Sequence, residues 1–387
     1  MKKQLLVLSV IVVLLQGCAM FDGFGNIDKA IDYECIPPMV TFAYPVNQGP
    51  RSPSLEVTLP LPPWKIEIVL PLPDPNSGVI SDRIMFARSV NGNTEIWVVR
   101  DSDRGQGNIN SSLLIYNTGD KEWHEIPNAF GNISPSINKL YLNQGHIWAV
   151  STWPKMAFGV YDEKESTFKL LDLTEPVPEG YFFFDDNKGM FWIFESFGAI
   201  YSMDPLSPRV IRHVEIPEID VFINGVAFAP DGSIYGLYSL VSYVDSKNDL
   251  GIFQYDPLSN NTENIYNPSY EQTLYFNLFV DRSGNLWLDD HTWRTPDDIW
   301  YEVVRSPVFI TDKYDTGFTY QWAFPQIILE SSDNRLWFRS INGMVSLDPE
   351  KGEWCWFTTE RSNIVEDQDH NLWMIADGKL YRYQLEP

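Results

Sequence analysis

Short apolar runs alternate with turn-forming residues along most of the chain, and one phrase keeps returning: a turn, an apolar residue, Trp or Tyr, then more apolar residues. It reads Glu95-Ile96-Trp97-Val98, His146-Ile147-Trp148-Ala149, Met190-Phe191-Trp192-Ile193 and Ser233-Ile234-Tyr235-Gly236. It continues with Asn285-Leu286-Trp287-Leu288, Arg335-Leu336-Trp337-Phe338 and Asn371-Leu372-Trp373-Met374. The seven aromatic markers are separated by 51, 44, 43, 52, 50 and 36 residues. Helical periodicity is almost absent. Self-similarity at about 40–50 residues predicts propeller blades of four short strands with loops of variable length.

Each unit resolves into strands A to D, from the inside outwards. In the fifth, Leu278–Asp281 reads as A, Arg282-Ser283-Gly284 as a tight turn and Asn285–Asp289 as B. The fourth shows the outer pair, Gly251–Tyr255 and Glu263–Tyr266. Gly145, Gly189, Gly232, Gly284 and Asn334 fall in the A–B turn, where a positive φ is often needed. The residue after the marker is Val98, Ala149, Ile193, Gly236, Leu288, Phe338 or Met374, so strand B is nonpolar on both faces. That suits a blade sandwiched between two neighbours. The seventh unit stops after strand C, and Trp64–Pro71 has the look of the missing D strand. The fold expected over residues 55–387 is therefore all-β, a seven-bladed β-propeller closed by an N-terminal strand that completes the last blade. Closure in this way removes free strand edges.

The first residues change the picture of where this domain works. Met1-Lys2-Lys3 is a basic start, Leu5 to Leu15 is an apolar run, and Leu15-Gln16-Gly17-Cys18 follows. The run is shorter than the roughly 20 residues of a spanning helix, and the layout is that of a secretory signal peptide over 1–17. Leu15 to Cys18 resembles the lipobox of bacterial lipoproteins, which implies acylation of Cys18 after cleavage. A multiply acylated N-terminus is a stable anchor, so the bilayer would be reached through Cys18 alone. Residues 18–54, rich in Pro and Gly, would then be a lipidated tether. The expected location is the cell membrane or the outer membrane, facing away from the cytoplasm.

Charge narrows the partners. Of 28 basic residues, cleavage removes Lys2 and Lys3, leaving 26 against 52 acidic ones. Nucleic acid, whose binding rests on neutralised phosphates, is excluded as a partner. Only Cys35 and Cys355 remain after processing. An exported location permits a disulfide between them and equally permits two free thiols.

Val280-Asp281-Arg282-Ser283-Gly284-Asn285-Leu286-Trp287 and Ile364-Val365-Glu366-Asp367-Gln368-Asp369-His370-Asn371-Leu372-Trp373 resemble the two-component regulator propeller repeat. The match is clear in units five to seven and weaker in one to four. It implies a propeller with a sensing or binding role and implies no chemistry. The kinase and membrane-spanning parts of hybrid sensors have no counterpart here.

Stacking the units by their markers proposes a site. Asn138, Asn277 and Asn363 share one repeat position, with Asn224 and Gln326 one residue earlier, which suggests carboxamides around one mouth of the channel. Capping of local backbone would explain them equally well. Two residues after the marker the series is apolar except for Asp289 and Arg339, which predicts an ion pair between adjacent blades. Loops on that face bring Asp290, His291, Trp293, Arg294, Trp153, Lys155, Tyr314, Tyr320 and Trp322. Aromatic and polar groups together suit a glycan, another polar small molecule or a protein partner.

Asp367-x-Asp369-x-Asn371 opens like a calcium loop, but Leu372 and Gly378 stand where Gly and Glu are required, so a hairpin turn is expected. The histidines form no spaced ligand set, and no cofactor, metal or Ser or Cys nucleophile is indicated. Streptogramin lyases are similar propellers with a catalytic histidine and magnesium, and no residue here aligns with that site. A lyase or hydrolase using Asp289, Asp290 and His291 for acid–base work is the alternative to a binding protein.

Overall fold

The computed structural model describes residues 33–385 apart from 37–41, 45–63, 74–78, 104–108, 128, 132–135, 152–155, 174–180, 187–188, 196–198, 216–220, 242–247, 267–277, 289–291, 303–325, 341–342, 352, 358–362 and 377. Three strands come first: β1 (Tyr33–Ile36), β2 (Phe42–Tyr44) and β3 (Trp64–Pro71). Blade one is β4 (Val79–Val90), β5 (Asn93–Asp103), β6 (Ile109–Asn117) and β7 (Glu122–Ile126). Blade two is β8 (Lys139–Asn143), β9 (His146–Ser151), β10 (Ala157–Asp162) and β11 (Thr167–Leu170). Blade three is β12 (Tyr181–Asp185), β13 (Phe191–Glu195), β14 (Ala199–Asp204) and β15 (Ser207–Glu215). Blade four is β16 (Val221–Phe228), β17 (Ile234–Val241), β18 (Asn248–Asp256) and β19 (Asn261–Tyr266).

Blade five is β20 (Leu278–Val280), β21 (Leu286–Leu288), β22 (Thr292–Arg294) and β23 (Trp300–Glu302). Blade six is β24 (Gln326–Glu330), β25 (Leu336–Ser340), β26 (Gly343–Asp348) and β27 (Glu353–Phe357). Blade seven has β28 (Ile364–Glu366), β29 (Leu372–Ala376) and β30 (Lys379–Leu385) from the C-terminus. Its fourth strand is β3, antiparallel to β30 with Ile66 opposite Tyr383. The chain is a seven-bladed β-propeller whose last blade is closed by the N-terminal strand.

The marker pattern explains how the ring holds together. Trp97, Trp287, Trp337 and Trp373 are fully buried, and the other three markers nearly so. Strand B turns its marker toward the next blade and the following residue toward the previous one. Trp337 packs with Ile364, Leu372 and Met374 of blade seven, whereas Phe338 packs with Trp287 of blade five. Trp97 joins Leu140 and Ala149 of blade two. Trp373 joins Ile84, Ile96 and Val98 of blade one, across the closure. Each of the seven interfaces between blades carries such a cluster. In blade four the residue after the marker is Gly236, and the Phe253 ring fills the space a side chain would need.

The A–B turns come in two kinds. Blades one and two use two-residue turns with both φ positive, Asn91-Gly92 and Gln144-Gly145, the arrangement that matches strand twist. Blades three to seven use three-residue turns whose last residue has positive φ: Gly189, Gly232, Gly284, Asn334 and His370. In blade seven Asp367 Oδ1 accepts from the N–H groups of Asp369 and Asn371, each at 2.9 Å. Its Oδ2 accepts from Trp373 Nε1 at 2.7 Å. Asp281 does the same for Ser283, Asn285 and Trp287. The Asp367 motif is thus a hairpin cap for the marker tryptophan, as expected.

The segment expected to be a tether is in part built into the domain. β1 is a fifth strand on the outer edge of blade six and β2 a fifth strand on blade five. Cys35 lies opposite Cys355 in the ladder, and Cys355 is disulfide-bonded and fully buried. The two outer edges offered unpaired backbone groups, and three or four residues of extended chain suffice to pair them.

Candidate functional site

In six of the blades the A strands β4, β8, β16, β20, β24 and β28 line up around the axis, each the terminal strand of its sheet. Their free edges bound an open cavity of about 760 Å³. Register fixes what stands at its two ends. Lys139 begins β8, opposite Val150 at the end of the B strand. Arg339 lies opposite Gln326, the first residue of β24, and Asn363 immediately precedes β28. All three side chains belong to residues lining the same end of the cavity. At the other end are Glu330 and Glu366, the last residues of β24 and β28, together with Arg282. Between them the wall is apolar: Met85, Ala87, Ile328, Leu329 and Val365.

The first end is knit across blades. An Arg339 Nη1–H donates to Asn363 Oδ1, linking blade six to blade seven. Lys139 Nζ sits 4.9 Å above the Tyr141 ring, a favourable place for a cation. Arg83 donates to the carbonyls of Asn138 at 2.8 Å and Ile137 at 2.6 Å, and to Asp101 at 2.9 Å.

The second end is a latch. Glu330 Oε2 accepts from the N–H of Arg282 in the preceding blade at 2.7 Å. Arg282 returns two bonds of 3.0 Å, to the carbonyls of Ser331 and Glu330. Glu366 repeats the contact one blade on, accepting from Ser332 N–H at 2.9 and 3.0 Å. Burial pushes the Glu330 carboxyl up, an effect that the Arg282 N–H and guanidinium oppose and that nearby Asp281 reinforces. An ionised carboxylate has about four acceptor positions, so both retain capacity for another donor.

The structure brings together only part of the expected constellation. Asn363 and Arg339 meet. Arg339 therefore has an amide partner in blade seven, while Asp289, its expected partner, lies outside the described residues together with Asn277, Asp290, His291 and Trp322. Trp153, Lys155, Tyr314 and Tyr320 lie outside them too. Asn138 is exposed; its N–H donates to Val150 O at 2.9 Å and its carbonyl receives Arg83. Trp293 is corrected. It is no loop residue but the centre of β22, opposite Trp287 and Tyr301. Its ring lies 4.5 Å from Trp287 and stacks on Tyr301 at 5.3 Å, so its faces serve blade packing. Lys139, Arg282, Glu330 and Glu366 were not singled out from sequence. Glu330 and Glu366 share a repeat position seven residues before the marker, and that recurrence was there to be read. Among the described residues no group of three His, Cys, Asp or Glu side chains is placed to hold a metal ion.

Comparison with solved structures agrees on the fold. A streptogramin B lyase structure superposes with a TM-score of 0.53 at 14% identity, covering 83% of this chain and 98% of that one. A structure described as YCF48 bound to D1 peptide gives 0.54 at 14% identity, covering 86% and 97%. The molecule shares its propeller with both. Identity at that level carries the fold and nothing further, and propellers serve many functions. No family model and no curated protein matches the chain.

Proposed function

We propose that this protein is a lipid-anchored, extracytoplasmic propeller that binds a ligand at its central channel, in a sensing or scaffold role. The ligand is a polar small molecule, a glycan or a segment of a protein partner. The observation that carries the reading is the cavity of about 760 Å³, with Lys139, Arg339 and Asn363 grouped at one end and Glu330 and Glu366 at the other. Concave sites with an apolar wall and a few convergent polar groups are where proteins hold small ligands. The resemblance of units five to seven to the two-component regulator propeller repeat supports the sensing role. The peptide named with YCF48 shows that a propeller of this general shape takes a peptide. Membrane attachment rests on the lipobox-like Leu15 to Cys18.

A thermal-shift screen of the full chain in detergent, against glycans, short peptides and metal ions, tests the binding role. At least one class should raise the melting temperature, and the Lys139→Ala/Arg339→Ala variant should lose that shift. A shift that survives in the double variant places the site elsewhere. For the anchor, Cys18→Ala should leave a soluble or unprocessed product after a high-salt wash of membranes. Retention of processed protein in the membrane fraction would contradict lipidation.

A further inference from the structure

The strap formed by β1 and β2 is an addition to blades that are already complete. Blade six has its four strands in β24 to β27 and blade five in β20 to β23, with β1 and β2 outside them. Among the described residues the other five blades keep to four strands each. β1 pairs through four residues and β2 through three. Edge strands this short hold few backbone bonds, and the terminal parts of a chain open most readily. One covalent bond offsets that. Cys35 stands opposite Cys355 in the ladder, Cys355 is disulfide-bonded, and Cys18 is the only other cysteine.

The bond sits beside a buried cation. An Arg335 Nη1–H donates to Cys355 Sγ at 3.2 Å, and the Arg335 side chain is 7% exposed. Asp333 lies 3.4 Å from its Nε and Asp348 3.8 Å from its Nη2, with Lys351 Nζ 2.8 Å from Asp348. Of these contacts of Arg335, the one to sulfur is the shortest. A disulfide sulfur carries no charge, whereas a departing thiolate does, and a neighbouring guanidinium favours the charged form.

Position in the chain gives the bond its consequence. With β1 fastened, the chain joins the domain on blade six, 17 residues after Cys18. With β1 and β2 released, it joins at Trp64, the start of β3 on blade seven, 46 residues after Cys18. At about 3.3–3.6 Å per residue, the longest reach rises from roughly 60 Å to roughly 160 Å.

We propose that the Cys35–Cys355 disulfide is a redox catch. A dithiol reductant opens it, β1 and β2 leave the rim of blades six and five, and the propeller stands farther from its anchor. The change of length rests on Cys18 being the anchor, whereas the catch itself does not. Cys355 is fully buried, so a thiolate of the reductant attacks Cys35 Sγ, on the outermost strand. The S–S bond breaks and Cys355 leaves as a thiolate beside Arg335. The reductant's second thiolate then attacks its own sulfur in the mixed disulfide, and Cys35 leaves and takes up a proton. The dithiol gives up two electrons and two protons and ends as a disulfide. The cysteines take both electrons and Cys35 one proton; the other proton goes to solvent.

The test follows the unaltered full chain in detergent, before and after dithiothreitol at neutral pH, by hydrogen exchange read in a mass spectrometer. Alkylation of a parallel sample should find both cysteines reduced. Exchange at residues 33–36 and 42–44 should then rise to the rate of a free peptide, while residues 64–71 and 326–348 keep their protection. Cys35→Ser should show the same open strap without reductant. Arg335→Met should be reduced about tenfold more slowly, since it lacks the cation beside the leaving sulfur, and Arg335→Lys at close to the parent rate. In lipid vesicles, energy transfer from a labelled propeller to a membrane dye should fall on reduction. A bond that resists dithiothreitol in the folded chain, or a strap that stays protected once the bond is reduced, would overturn the catch. So would loss of protection across blade six together with the strap, which would make the bond structural. Equal reduction rates in the Met and Lys variants would remove Arg335 from the step. Unchanged energy transfer in attached protein would overturn the change of length. A strap that opens in protein that does not attach to vesicles keeps the catch and sinks the anchor.

Discussion

Blades two and seven bury the same side chain in the same place and treat its polar atom in opposite ways. Trp373 is 1% exposed and gives its indole N–H to Asp367 at 2.7 Å. Trp148 is 3% exposed, and its Nε1 has no hydrogen-bond partner among the described residues. The cause is turn length. In blade seven Glu366 pairs with Leu372, leaving Asp367 to close a three-residue turn beside the indole. In blade two Asn143 pairs with His146 around two residues, and the ladder runs one step further. Blades three, five and six follow blade seven, with Asp186, Asp281 and Ser331 as the acceptors. Blade one extends its ladder and finds another solution, Glu95 at 3.1 Å. The marker is therefore a packing element first, and the cap is an addition that depends on local turn chemistry.

The largest effect should separate the two tryptophans directly. Trp→Phe at either site leaves a small void, costing about 1–2 kcal/mol by analogy with other large-to-small core changes. At Trp373 it also removes a hydrogen bond to a charged acceptor, about 1.5–3 kcal/mol. At Trp148 it removes a buried donor that has no partner, which gives back about 1–3 kcal/mol. Urea unfolding should therefore show Trp373→Phe clearly destabilised and Trp148→Phe close to the parent, a gap of about 2.5–6 kcal/mol by these same terms. Equal losses would mean that the indole N–H contributes nothing in either blade.

The same contrast shows what was legible in the sequence. The seven markers, the apolar residues beside them and the strand from Trp64 to Pro71 all follow from burial between neighbours, which period and hydropathy record directly. The fifth strands on blades five and six left no such record. Tyr33–Ile36 and Phe42–Tyr44 are too short to show alternation and sit in a Pro-rich segment, so they read as tether. Trp293 was misplaced because a hairpin of three-residue strands looks like a loop when only composition is read. At the channel, side-chain amides drew attention by type. The carboxylates Glu330 and Glu366 matter by position, and position is visible only after the turns they latch are known.

The smallest effect concerns that latch, and it sharpens the comparison because Glu330 closes the three-residue turn of blade five from outside. Its side chain is only 9% exposed. Burial holds its proton more tightly in the folded protein than in the unfolded chain, despite the opposing Arg282. The sign of the linkage follows from proton counts. Below the ordinary carboxylate range both states are protonated and the contribution of this group is fully present. As pH rises, the unfolded chain releases its proton first, so that contribution declines until the folded carboxyl has ionised as well. Glu330→Gln has no proton to lose and keeps an acceptor for the Arg282 N–H. Its stability relative to the parent should improve as pH is raised from about 4 to 7, the range bracketing an upward-shifted carboxyl. Unfolding midpoints of the two proteins, measured side by side across that range, give the difference free of every other titrating group. A difference that stays flat, or that moves toward the parent at higher pH, would show that the Arg282 contacts outweigh burial at this site.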